Sequence, residues 1–130
     1  MRGVLAAAGL TAFVALGPSA AAEPDPREHY LLHCSGCHAA DGRGTPGLTP
    51  SLHGLTRFLE TPDGRAYLGA VPGVAQAPLD DGALARLLNW VIAEFSKERP
   101  APPPLPYSAE EIRGLRAGPL RDPAAARPEL

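Results

Sequence analysis

Cys34-Ser35-Gly36-Cys37-His38 is the stretch on which the reading of this chain turns. It has the form C-x-x-C-H, the pattern at which haem is attached covalently. Two intervening residues let both sulfurs reach the two vinyl-bearing edges of one porphyrin as thioethers. The histidine that follows Cys37 then lies beneath the ring with Nε2 toward iron, the role of a proximal ligand. Three other chemistries use the same residues. A thioredoxin-like dithiol is read beside a βαβ pattern, whereas residues 27–33 read as a helix. Zinc would draw on His33, Cys34, Cys37 and His38, but structural zinc sites pair a C-x-x-C with a distant second pair, and these are the chain's two cysteines. A disulfide across a two-residue gap is a strained, reducible loop. The arrangement favours one haem c, with Cys34 and Cys37 as attachment points and His38 as an axial iron ligand.

An absence matters nearly as much. The single methionine is Met1, so the common methionine ligand for the opposite face of the iron is missing. Residues 1–22 read as a cleaved export signal: Arg2 as a short positive region, an apolar run over 4–16, a break at Gly17-Pro18, and Ala20-Ala21-Ala22 before Glu23. The run is too short to span a bilayer. Export to the periplasm follows as the expectation. The formal net charge of −2 gives no basic footprint for nucleic acid and no polybasic membrane patch. Membrane contact is expected only through a partner, and the oligomeric state stays open.

The rest of the chain reads as helices and breakers, with no internal repeat and no strand-period run. Asp25-Pro26-Arg27-Glu28 opens a helix: Asp25 caps, Pro26 suits the first turn, and Glu28 stands three residues on. Tyr30, Leu31 and Cys34 share its apolar face, while His29 reads as a solvated helix residue. Residues 39–54 form a loop rich in glycine and proline. Residues 55–59 suit a helical turn. Thr61-Pro62-Asp63 starts another helix, with Tyr67 and Leu68 on its apolar side, that Pro72-Gly73 ends. The clearest helix spans 80–95, capped by Asp80, with Leu84, Leu87, Leu88, Val91, Ile92 and Phe95 as one buried stripe. Trp90 lies off that stripe and is read as packing. Residues 100–106 are proline-rich and extended. Ser108-Ala109-Glu110-Glu111 is a capping box for a short helix to about Arg116, after which the chain reads as a frayed tail. The division is therefore 1–22 signal, 23–99 haem domain and 100–130 extension.

Helix, C-x-x-C-H, glycine-rich loop and amphipathic last helix together resemble the class I c-type cytochromes, over about residues 27–95. That resemblance implies a small all-α fold of three to five helices around one haem, its terminal helices crossing. Thr49-Pro50-Ser51-Leu52-His53-Gly54 is similar to the family's Gly-Pro-x-Leu-x-Gly box, with Thr49 in place of the first glycine. By that likeness the Pro50 carbonyl accepts from Nδ1–H of His38, fixing the ring and raising its basicity. The family's methionine loop corresponds to Val74-Ala75-Gln76-Ala77-Pro78, with Ala77 at the methionine position. Four arrangements remain for the sixth iron position: open or water-filled, histidine (His53, His29 or His33), Gln76, or a donor from a partner chain. The family's histidine in the Leu-His-Gly sequence is a structural, hydrogen-bonding residue, and His33 would have to bend round the ring.

The implied function is electron carriage, to or from a periplasmic dehydrogenase or oxidase, with a redox partner protein and no enzymatic role. Two alternatives stand beside it. A missing methionine suits a haem that binds carbon monoxide, nitric oxide or peroxide. The proline-rich extension suits a haem subunit of a larger complex. A peroxidase would want a distal acid–base pair, and the loop 74–77 is apolar apart from Gln76.

Overall fold

Asp80 opens the longest helix, α5 (Asp81–Phe95), by accepting a hydrogen bond from Ala83 N at 2.7 Å. Leu84, Leu87, Leu88, Val91, Ile92 and Phe95 are all buried along one face, as their spacing predicts. The computed structural model describes residues 23–97 and 106–128. Residues 1–22, read above as an export signal, and nearly all of the 100–106 proline run lie outside those residues. Among the described residues the chain is all-α. The other helices are α1 (Pro26–His33), α2 (Ser35–His38), α3 (Pro62–Ala70), α4 (Pro72–Ala75) and α6 (Ala109–Arg116), with a 3₁₀ helix at Leu55–Glu60. Four of the six α-helices have eight or more residues, and α2 and α4 are single turns.

Local chemistry explains the starts. Asp25 Oδ1 accepts from Arg27 N at 3.0 Å ahead of Pro26. Thr61 Oγ1 accepts from Gly64 N at 3.1 Å ahead of Pro62. The α1 and α5 helices pack together through aromatic rings. Tyr30, 1% exposed, lies 5.5 Å from the Trp90 ring and 5.2 Å from Phe95. Trp90 thus packs at the helix crossing. Burying such a ring contributes roughly 1.5–3 kcal/mol, with up to about 1.5 kcal/mol more from the ring pairs.

Several expectations need correction. Leu31 does not share the buried face: it is 40% exposed, because α1 ends at His33 and only its His29–Tyr30 side meets the core. His29 is buried, not solvated, with its ring 5.9 Å from His33 and its Nδ1 unpartnered among the described residues. Pro72-Gly73 ends α3 but also opens α4, since proline suits a first helical turn.

The largest correction concerns the C-terminal segment. Ser108 caps α6 by accepting from Glu111 N at 3.1 Å, as the capping box predicts. The α6 helix of the 100–130 extension packs on the helices before it. Ile112 is fully buried and Tyr107 is 4% exposed, both within the same core as Leu84 and Val91. Beyond α6 the chain is tied down rather than frayed. Leu120 N donates to Ala70 O at 2.9 Å, and Tyr67 Oη donates to Pro123 O at 3.0 Å. Arg127 stands over the Phe58 ring, 5.1 Å from its centre.

Candidate functional site

The C-x-x-C-H motif occupies the corner between α1 and the loop 39–54. Cys34 breaks the helix at φ −121°, and α2 carries the remaining four residues as one turn. Both thiols are unpaired; Cys34 is half-buried and Cys37 exposed. Burial pushes the Cys34 thiol above its ordinary value, and neighbouring Cys37 adds to the effect.

His38 is half-exposed, and its Nδ1 lies 2.9 Å from the Pro50 carbonyl oxygen. A carbonyl only accepts, so Nδ1 carries the proton and Nε2 keeps a free lone pair. That is the tautomer a metal-ligating imidazole uses. The loop is folded to make this contact. Gly44 N donates to His38 O at 2.9 Å, and Leu52 N donates to Gly42 O at 2.8 Å. Thr45 and Thr49 exchange two backbone bonds, of 2.9 and 2.8 Å. Gly44 has φ +69°, and a Cβ there would stand 2.7 Å from the Pro50 carbonyl oxygen. Only glycine lets the two strands of the loop approach this closely. Ala39, just after His38, has φ +61° and ψ 164°, a strained conformation for alanine. Tyr30 Oη donates to its carbonyl at 2.6 Å and holds it there. Burial pushes that phenol up to about 12, so it stays a donor throughout the physiological range.

The remaining candidates are not drawn to one point. His53 Nε2 is 2.8 Å from Asp41 O, and its ring packs 5.6 Å from Phe95. It serves as a strut across the loop, matching the structural role the Leu-His-Gly likeness implies. Gln76 follows α4 and is exposed, and Ala77 is 8% exposed. Among the described residues, no three His, Cys, Asp or Glu side chains gather as a metal cage, so His33, Cys34, Cys37 and His38 do not form a zinc-like set. The donor set suits a covalently attached haem instead: two unpaired thiols in one turn and an imidazole with Nδ1 engaged and Nε2 left over. Leu32, within the motif's approach, is 74% exposed, and Leu48, in the following loop, is 85% exposed.

Sequence reasoning missed a second group of residues, around α6. Asn89 grips the Tyr107 backbone with both ends of its amide: Nδ2 donates to Tyr107 O at 3.0 Å, and Oδ1 accepts from Tyr107 N at 2.8 Å. Arg65 and Glu111 form a two-pronged pair at 2.5 and 2.7 Å. Arg116 donates to Ala75 O at 3.1 Å, Ala77 O at 2.7 Å, Leu79 O at 2.7 Å and Asp81 Oδ1 at 3.2 Å. Its targets are mostly backbone carbonyls, which leave no mark in a sequence. The one available signal was the excess of Arg over what helix capping needs near 113–116.

No protein-family model matches this chain, and no curated protein matches it.

Proposed function

We propose that the chain is an exported monohaem c-type cytochrome that carries electrons to or from a periplasmic dehydrogenase or oxidase. The observation that carries this reading is the C-x-x-C-H turn with His38 Nδ1 held 2.9 Å from the Pro50 carbonyl. Cys34 and Cys37 would hold the haem by thioether bonds, and His38 Nε2 would ligate its iron. When bound, the group supplies a one-electron iron couple. The chain's own part is positional. The Pro50 carbonyl fixes the imidazole's tautomer and angle, and makes it a stronger donor to a cation. Tyr30 holds the backbone that leaves His38. No base or substrate pocket is needed, so an enzymatic role is not assigned.

Without methionine on the opposite face, the potential falls below that of methionine-ligated relatives, because methionine raises it. A second reading is favoured by Ala77, which stands at the methionine position by likeness and has no donor atom. It makes the protein a binder of carbon monoxide or nitric oxide at an open sixth position.

The test is the absorption spectrum of the protein expressed in a host that attaches c-type haem, taken oxidised, reduced, and reduced with carbon monoxide. Low-spin bands unmoved by carbon monoxide are the expected result for a carrier with an internal sixth ligand. A high-spin spectrum that shifts with carbon monoxide moves the protein to the second reading. No haem bands, in a host that loads a control cytochrome, overturn both and return Cys34 and Cys37 to thiol chemistry.

A further inference from the structure

The loop 75–79 lacks the side chain that would anchor it to a metal, yet its backbone is held from outside. Arg116 sends its guanidinium across from α6 and bonds three carbonyls in that loop, those of Ala75, Ala77 and Leu79. The first two flank Gln76, the loop's one polar side chain. A fourth bond, to Asp81 at the start of α5, fixes the guanidinium between loop and helix. The Arg116 side chain is only 20% exposed, so water competes poorly for these carbonyls. A guanidinium offers five donors in a planar fork, and this one spends them on a surface that lysine could not match. The base of the clamp is secured independently. Tyr107 is held by Asn89, Glu111 by Arg65, and Ile112 is fully buried.

We infer that the C-terminal segment is a strap that positions the 75–79 loop, with Arg116 as its positioning residue, and that it sets how readily small ligands reach the sixth iron position. The second half of this statement rests on the haem reading above in its open-site form, and on the likeness that matches this loop to the family's methionine loop. The first half does not. Arg116 replaces, from the backbone side, the fixation that a methionine–iron bond would otherwise give the loop. The backbone on either side of Gln76 is thereby held, and the loop opens only when α6 lets go.

Two measurements on the haem-loaded, full-length protein test this. The first is hydrogen exchange read by mass spectrometry in wild type, R116K and R116M. The amides of Gln76, Ala77 and Leu79 should share the protection of Ile112 in wild type. They should lose on the order of tenfold or more in R116M, about what one charge-assisted bond is worth, with R116K between and α5 unchanged. The second is the rate of carbon monoxide binding to the reduced protein after flash photolysis, which should rise several-fold in R116M. If R116M fails to fold, wild type decides: a loop exchanging tenfold faster than α6 overturns the clamp. Carbon monoxide binding that is the same in wild type and R116M, whether fast, slow or absent, overturns the control of access. Loss of haem from every sample overturns the proposed function instead, and leaves the exchange measurement to judge the clamp.

Discussion

Gly44 and Gly47 sit in one loop, both at positive φ (+69° and +78°), but in different surroundings. At Gly47 a Cβ would meet nothing within 4 Å, whereas at Gly44 it would run into the Thr49 carbonyl oxygen and fall 2.7 Å from the Pro50 carbonyl oxygen. Replacing each with alanine therefore separates two costs. Both variants pay for alanine in the left-handed region, roughly 1–2 kcal/mol. Gly44→Ala must also push the 49–50 backbone away, and overpacking of this kind costs about 1–3 kcal/mol. The shift takes the carbonyl from His38, and a lost hydrogen bond adds about 1 kcal/mol. The expected destabilisation is thus about 1.5 kcal/mol for Gly47→Ala and about 4 kcal/mol for Gly44→Ala. With a urea slope of roughly 1–1.5 kcal/mol/M for a small domain, the midpoint should fall by about 1 M in the first and by about 3 M in the second. The His38 imidazole nitrogen shifts should move in Gly44→Ala alone. Equal midpoints in the two variants, with His38 unmoved, would refute the claim that this loop is shaped around the Pro50–His38 contact.

Three further outcomes are expected. Ile112→Ala should cost about 3 kcal/mol and lower the melting temperature by about 10 °C or more, because the residue is fully buried; a change within about 0.5 kcal/mol would return α6 to the status of an appendage. Tyr30→Phe keeps the ring packing but frees the Ala39 carbonyl, and should cost about 1 kcal/mol by thermal denaturation; no loss would mean that the strained Ala39 needs no anchor. Acid should loosen the strap first. The hydrogen bond from Arg65 holds the Glu111 carboxyl below its ordinary value of 4.5. A folded-state value below the unfolded one gives stability that is fully present above about 4.5 and lost as pH falls through the folded value. Glu111→Gln should therefore flatten the acid limb of the stability curve below about pH 4.5, and an unchanged limb would show that the pair contributes nothing.

What the sequence disclosed, and what it hid, divides along physical lines. Periodicity and caps are local, and α1, α3, α5 and α6 start where Asp25, Thr61, Asp80 and Ser108 indicate, because a capping oxygen needs a backbone N–H only two or three residues away. The turn at Cys34–His38 and its Pro50 acceptor were also within reach, the first from spacing and the second from likeness to a six-residue box. The C-terminal segment was not. Between 106 and 128 its core side chains are few: Tyr107 and Ile112 are buried, and Leu115 packs partly against the core. That is too sparse for a long apolar stripe, and the sequence marked only a capped short helix in an extension. Its attachment instead relies on Asn89, Arg65 and Arg116 meeting backbone groups and two carboxylates, those of Glu111 and Asp81, across eighteen or more residues of sequence. Such bonds have no periodicity and no fixed spacing.

The same division bears on why the segment is there at all. A domain of this size carries little core, and small domains commonly need a staple. Under the proposed function, a loop with alanine at its centre would forgo one such staple, the bond from a methionine to iron. Polar bonds from Arg116 to the carbonyls of Ala75, Ala77 and Leu79 fix the backbone of that loop; under the proposed function they would do so without supplying a donor to the iron. A methionine would hold the loop and close the coordination sphere together; the clamp separates these two tasks. On that argument Ala77→Met is informative in the opposite sense to R116M. Ala77 is buried, so the longer side chain must turn toward whatever space the loop covers. If that space is the iron's second face, reduced Ala77→Met should become low-spin, lose carbon monoxide binding and rise in potential. It should also tolerate R116M better than the parent does, because the loop would then have its second anchor. An Ala77→Met protein that keeps its haem but shows the parent's spectrum and potential would place the loop away from the iron, and would leave Arg116 as a brace for α4 and α5 alone.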